Sequence, residues 1–390
     1  MKKSLLTLTI GGFGIGMTEF VMMGILPDIA LSLKISIPEA GHLVSAYALG
    51  VVLGAPLLVA LAGNIPPKKL LMALMVMFTI FNSFSAFAPT YHTMLFTRLL
   101  SGLPHGAFFG VGAVVAGRLA DKGREARAVS VMFAGLTIAN MIGVPAGTFV
   151  GHNFSWRITF GAVAVIGICA ILALKFWMPD LPVTSQKNIK KDLNLFKRTE
   201  PWLVIGITAI GTGGFFAWFS YIAPLLTEVT IFSENSITPI LVLTGAGMAV
   251  GNFIGGRLAD AVSPGKAVCI LLLVTALALI GVALTAEYKI PALAMSFIIG
   301  ALAFSVAAPI QMLMIQAAKG SEMLASAVNQ AAFNVGNAVG AFLGGLPIAA
   351  GLGYTSPEYV GAALAFTGFL IAGYRLIYTR NKSAQPILSV

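Results

Sequence analysis

The chain alternates long apolar runs with short polar breaks. The runs are too long for the core of a water-soluble domain. Bounded by charges or turn residues, they fall at about 5–27, 40–62, 69–88, 92–118, 126–151, 157–178, 201–226, 236–258, 266–286, 290–317, 323–350 and 357–379. Each is close to the roughly 20 residues that a helix needs to cross a bilayer. The pattern therefore predicts an all-α polytopic membrane protein of twelve spans. One break is long: residues 181–199 are polar and basic and leave six spans on either side, in 1–180 and 200–390. The opening Met1-Lys2-Lys3 resembles a signal peptide, but the apolar run behind it continues to about Leu26, so it reads as span 1.

Composition sharpens this picture. Of 390 residues 58% are hydrophobic and only 10% charged, against about 25% charged in soluble domains. Mean hydropathy is +0.92. The net charge of +10 invites a nucleic-acid reading, which the placement of the charges removes. Of the 24 Lys and Arg, only Lys34, Arg157 and Lys289 fall on one side of the spans, and Arg98 falls within one. The others gather on the opposite side, which identifies it as cytoplasmic and puts both termini there. Their partner is anionic lipid headgroup, not nucleic acid.

Comparison of the chain with itself at an offset of 197 residues aligns Gly14, Gly16, Ile25 and Pro27 with Gly211, Gly213, Ile222 and Pro224. The same offset aligns Asn140, Gly143 and Gly147 with Asn337, Gly340 and Gly344. Two six-span halves in the same orientation are parallel repeats, which places a binding cavity between them near the midplane. Glycines spaced by four recur at Gly102/Gly106/Gly110, Gly143/Gly147/Gly151, Gly247/Gly251/Gly255 and Gly336/Gly340/Gly344. Such rows let helices approach closely, either as fixed packing or as sliding contacts between the halves. Pro56, Pro104, Pro145 and Pro309 predict kinks.

Three ionisable residues lie deep within predicted spans: Glu19, Arg98 and His105. Charge inside hydrocarbon is costly, so each is a functional candidate. At 1.5 Å per residue, Glu19 lies about 12 Å from the outer face, Arg98 about 9 Å and His105 about 20 Å. Arg98 and His105 are seven residues apart and share a helix face. Glu19 is the first candidate proton carrier, His105 the second, and Arg98 the fixed counter-charge. The competing reading is a static Glu19–Arg98 bridge between spans 1 and 4.

The second half offers amides. Gln330, Asn334 and Asn337 share one face of span 11, with Gln311 on span 10 and Asn252 on span 8. Together with Asn140 they are candidates for holding a polar substrate, or for bonding helix to helix. Phe216, Trp218 and Tyr221 on span 7 are candidates for stacking on a sugar ring or an apolar drug, or for packing. Cys169 and Cys269 sit in apolar runs and read as small buried residues. No phosphate-binding loop, metal-ligand cluster or nucleophile–base set occurs, which argues against an enzyme and against a cofactor or metal.

Several motifs resemble the major facilitator superfamily over nearly the whole chain, in its twelve-span drug:proton antiporter branch. They are Arg98 with Gly102 and Gly106, Gly143-Val144-Pro145-Ala146-Gly147, Trp156-Arg157 and Gly256-Arg257-Leu258-Ala259-Asp260. Thr18-Glu19-Phe20, Gly102 to Gly110, and Phe216 to Tyr221 are similar to the AraJ-type sugar efflux permeases. The resemblance implies a monomeric exporter in a bacterial inner membrane that exchanges protons for a small molecule, sugars first and drugs second. The alternatives are an uncoupled facilitator and a non-transporting sensor. It also implies an inner gate of Asp260 with Lys68 and Lys69. In the first half the gate's acid is missing, since Gly63 stands where an aspartate is expected.

Overall fold

A computed structural model describes residues 3–35, 37–62, 65–182, 194–233 and 236–384. Gly63, Asn64 and most of the central loop lie outside the described residues. Among the described residues, twelve apolar helices are long enough to span a membrane: α1 (Lys3–Gly24), α2 (Glu39–Leu61), α3 (Pro67–Ala86), α4 (Tyr91–Leu119), α5 (Glu125–Asn153) and α6 (Trp156–Trp177) in the first half. The second half holds α7 (Thr199–Phe219), α8 (Ile237–Val262), α9 (Pro264–Thr285), α10 (Lys289–Ala317), α11 (Glu322–Ala349) and α12 (Ser356–Arg380). Helices form because hydrocarbon offers no partner for a free peptide group, so each run must bond to itself. Leu49, Leu53, Leu57 and Leu61 lie four apart along α2 and are all exposed. In a soluble protein that stripe would be core; here it is a face for lipid.

Helices α1–α6 pack mainly on one another, as do α7–α12. The two bundles meet through α2, α4 and α5 on one side and α8, α10 and α11 on the other. The glycine rows mostly serve packing within a bundle. A Cβ on Gly50 or Gly102 would strike the backbone of Leu99 or Tyr47, so α2 and α4 touch backbone to backbone. Gly247, Gly251 and Gly255 press on the α10 backbone, and Gly340 on Gly213 of α7. Gly106 and Gly110 are the members of these rows that reach across, to Gln330 and Ala327 of α11. The sliding reading therefore narrows to α4 against α11.

Pro56 and Pro104 sit inside unbroken helices. By contrast, Pro145 follows a π turn at Ala139–Gly143, where the ladder widens before the residue that lacks an N–H. In α7 a second π turn spans Ile207–Gly211. The predicted span to 226 breaks at Ser220, and the short helix Ile222–Pro224 and a third π turn at Leu225–Val229 follow. One expectation is corrected: Cys169 is exposed rather than buried, and Cys269 is only partly covered. α6 turns the side of Cys169 outward, where a thiol is as well suited to lipid as an alanine.

The bundles are pinned at the end that carries the basic loops. Asp260, at the end of α8, accepts hydrogen bonds from the backbone N–H groups of Ala126 (3.0 Å) and Arg127 (3.2 Å) at the start of α5. Its carboxylate also lies 3.4 Å from Arg127 Nε. About two turns back along α8, and one turn on along α5, Asn252 Nδ2 donates to the Ser130 carbonyl at 2.6 Å. A carboxylate on a helix N-terminus meets unsatisfied N–H groups and the positive end of the dipole together.

Candidate substrate cavity

Between the bundles lies a cavity of about 830 Å³, part of it open to solvent. Glu19, Phe20, His105, Phe133 and Leu136 line it from the first bundle. From the second come Thr212, Phe215, Phe216, Thr275, Phe304, Gln330, Phe333, Asn334 and Asn337. Six of these are phenylalanines, and among the described residues Glu19 and His105 are the ionisable ones on the wall. The cavity is thus aromatic, with a few placed polar groups, the usual character of a small-molecule site.

Glu19 and Arg98 do not form an ion pair among the described residues, although their charges lie within electrostatic reach. The Arg98 guanidinium turns away from the cavity and is completely buried. Its Nη1 donates to Thr18 Oγ1 at 3.1 Å, while its Nε and Nη2 find no partner. Thr18 Oγ1 in turn donates to Asn82 Oδ1 at 2.6 Å, and Asn82 Nδ2 donates to the Phe78 carbonyl at 2.9 Å. The guanidinium also lies 4.2 Å from the centre of the Tyr47 ring. A cation over an aromatic face in a desolvated site is worth about 2 kcal/mol. The Tyr47 hydroxyl in turn lies 3.1 Å from His105 Nδ1. Four helices of one bundle, α1 to α4, therefore contribute to a single buried polar chain. The static-bridge expectation is not met, because adjacent residues of α1 divide the work: Thr18 faces the arginine and Glu19 the cavity.

The amides also divide. Gln311 is fully buried and bonds entirely across to α11. Its Oε1 accepts from Asn329 Nδ2 and Gln330 Nε2, each at 2.9 Å, and its Nε2 donates to Ser326. Thr208 of α7 completes this cluster by donating to Asn329 Oδ1 at 2.7 Å. Gln330, Asn334 and Asn337 do reach the cavity. Asn140 does not: its Nδ2 donates to Leu136 O, and its backbone lies beside Gly245 of α8.

Of the aromatic candidates, Phe216 lines the cavity. Trp218 is buried in the outer core of its own bundle with Ile222, Leu279 and Val282. Tyr221 donates to the Ala341 carbonyl at 2.8 Å, tying the break after α7 to α11. At the basic end, Lys68 lies 3.3 Å from Asp180, within the first bundle, and Lys69 is exposed. Sequence reasoning missed Tyr47, Asn82 and Ser130 and met Thr18 only as part of a family motif, without a role. Each is an uncharged residue in an apolar run.

Two six-helix bundles around a cavity partly open to solvent, with ionisable groups on one wall, define a secondary transporter architecture. The sequence profile of the Major Facilitator Superfamily matches residues 8–323, and the chain belongs to that superfamily. It is 39% identical over 393 residues to the transporter AraJ of Escherichia coli (strain K12), covering 100% of this chain and 99% of AraJ. It is 42% identical over 369 residues to the inner membrane transport protein YdhP of the same strain, covering 94% of each. A chloramphenicol resistance protein of Streptomyces lividans is 28% identical over 393 residues, covering 99% of both chains. Among solved structures, the Escherichia coli fucose:proton symporter FucP matches with a TM-score of 0.78 at 13% identity, over 95% of this chain and 98% of that one. The proton:xylose symporter XylE matches with a TM-score of 0.75 at 14% identity, over 95% of each. The chain is thus a multi-pass membrane transporter of the major facilitator fold.

Proposed function

We propose that this transporter exports a small amphipathic molecule across a bacterial inner membrane in exchange for protons, with both termini in the cytoplasm. The observation that carries the reading is Glu19, the one carboxylate on the cavity wall, which Arg98 leaves unpaired. In the proposed cycle, Glu19 takes up a proton from outside and releases it inside, and His105 assists at the same wall. Arg98 stays charged and supplies a fixed field. Substrate contacts fall to Phe216, Gln330, Asn334 and Asn337. Closure at the basic end by Asp260 and Asn252 corresponds to a cavity that faces outward. Proton and substrate shift the equilibrium only through different affinities for the two states.

The six phenylalanines support a substrate with an apolar body, and kinship with a chloramphenicol resistance protein supports a drug-like one. A sugar is the second reading, favoured by the three amides of α11 that reach the cavity. The test uses purified protein in liposomes with a trapped pH dye. Chloramphenicol, arabinose and a panel of amphipathic drugs are added with and without a pH gradient. Substrate-dependent proton movement that Glu19→Gln loses supports antiport. Flux that ignores the gradient in both proteins leaves a facilitator, with Glu19 as architecture.

A further inference from the structure

Tyr47 belongs to none of the motifs that mark this family in the sequence, yet it joins Arg98 and His105, the two buried ionisable residues of α4. It is 2% exposed. Its ring face lies under Arg98, and its hydroxyl meets His105 Nδ1, with the Tyr47 and His105 ring centres 5.7 Å apart. The backbone contact of Gly102 with Tyr47 holds α2 at this distance from α4.

A phenol and an imidazole nitrogen can share a hydrogen bond in two ways. Tyr47 can donate to Nδ1, which leaves the ring proton of a neutral His105 on Nε2. Alternatively, Nδ1–H can donate to Tyr47, which leaves the phenolic proton to find another acceptor. The hydroxyl has no second hydrogen-bond partner among the described residues. The second arrangement strands a buried donor, the costlier outcome. Nε2, on the far side of the ring from Tyr47, makes no hydrogen bond to the described residues and is not fully buried, and His105 lines the cavity, which is the space left for Nε2 to face.

We infer that Tyr47 is a positioning residue that fixes neutral His105 with its proton on Nε2, so that His105 presents a hydrogen-bond donor to the cavity. The ligand class this favours carries an acceptor, such as a carbonyl, nitro or hydroxyl oxygen, beside an apolar body. The inference deepens the transport reading and rests on it for the ligand, but the tautomer is a property of the protein alone. Charged neighbours are the Glu19 carboxylate on the same wall and Arg98 behind the Tyr47 ring; α11 brings amides to this cavity, those of Gln330, Asn334 and Asn337.

The test is nitrogen NMR of full-length protein in nanodiscs, labelled with [15N]histidine, at a pH where His105 is neutral. The chain has four histidines, and the spectrum of His105→Gln assigns the signals. The expected wild-type spectrum has a protonated Nε2 and a bare, hydrogen-bonded Nδ1. Tyr47→Phe keeps the ring under Arg98 and removes the hydroxyl, and is expected to give a mixture of tautomers. It is also expected to bind chloramphenicol about fivefold more weakly, the scale of one lost hydrogen bond. A proton on Nδ1 in the wild type overturns the inference, as does a Tyr47→Phe spectrum identical to wild type. Should the variant not fold, the wild-type spectrum still decides. Should the tautomers shift as expected while neither protein binds chloramphenicol, the inference stands and the drug-like reading of the cavity fails.

Discussion

Arg98 is bonded to Thr18 and not to Glu19, although the two lie side by side on α1. Residues one apart on a helix point about 100° away from each other, so one can serve the bundle interior and the other the cavity. The arrangement leaves a buried cation with two unpartnered nitrogens on one side and an accessible carboxylate on the other.

That division makes stability and activity separable at Arg98. A buried charge that lacks full compensation gains little for the fold, and an apolar residue of similar volume is often neutral or stabilising. Arg98→Met is expected to keep or raise the thermal midpoint while losing gradient-driven transport. Thermal unfolding in detergent and flux in liposomes, run on the same preparation, check this. A midpoint that collapses with activity makes Arg98 a structural residue.

Asp260 holds the two bundles together at their basic ends through two backbone N–H groups and Arg127. Charge-assisted bonds of this kind are worth about 2 kcal/mol. Asp260→Ala is therefore expected to shift the closed-to-open ratio at that end by about thirtyfold. With Cys169 and Cys269 replaced by serine, a cysteine introduced by Ser130→Cys becomes the reporter. Its reaction with a water-soluble thiol reagent is expected to speed up in the Asp260→Ala background.

Gly102 sets the spacing of α2 and α4, because a Cβ there would run into the carbonyl oxygen of Tyr47. Overpacking of this kind costs about 1–3 kcal/mol. Gly102→Ala is expected to lower the thermal midpoint by several degrees and to disturb Tyr47 beneath Arg98. Gly41→Ala is the control, since nothing lies within 4 Å of its added methyl. Equal effects at the two sites would contradict the close-packing account.

Phe216 and Trp218 are two residues apart and are expected to fail in opposite ways. Phe216 lines the cavity, so Phe216→Ala is expected to raise the KM for substrate with little change in midpoint. Trp218 is core, so Trp218→Ala is expected to cost about 3–5 kcal/mol of stability, with an unchanged KM in the protein that survives. A paired measurement of midpoint and KM in each variant decides it.

The fold was legible because a bilayer imposes a length and a polarity on every span, and the lysines and arginines mark the sides. Glu19 and His105 were legible as cavity residues because an ionisable group in an apolar run is conspicuous. Their partners were not. Tyr47, Thr18 and Asn82 are ordinary in membrane helices, and only packing shows that α1, α2 and α3 bring them to Arg98. Gln311 shows the converse limit. Helical spacing predicts an inward face correctly, but the inward neighbour of Gln311 is Ser326, not the cavity. In α7 a wide turn precedes the aromatics, so regular helical counting is out of phase there.

That wide turn makes α7 tolerant of a change in length that regular helix would not absorb. A wide turn holds one residue more than an α turn over nearly the same rotation, so deleting one residue from Ile207–Gly211 would restore regular winding and leave the aromatic cluster facing as it does now. The same deletion in the regular stretch Gly213–Phe219 would turn the residues beyond it by about 100°. The wide turn is thus one residue of slack in the wall of the cavity. It would let relatives of this transporter gain or lose a residue in α7 and keep the same rings toward the cargo.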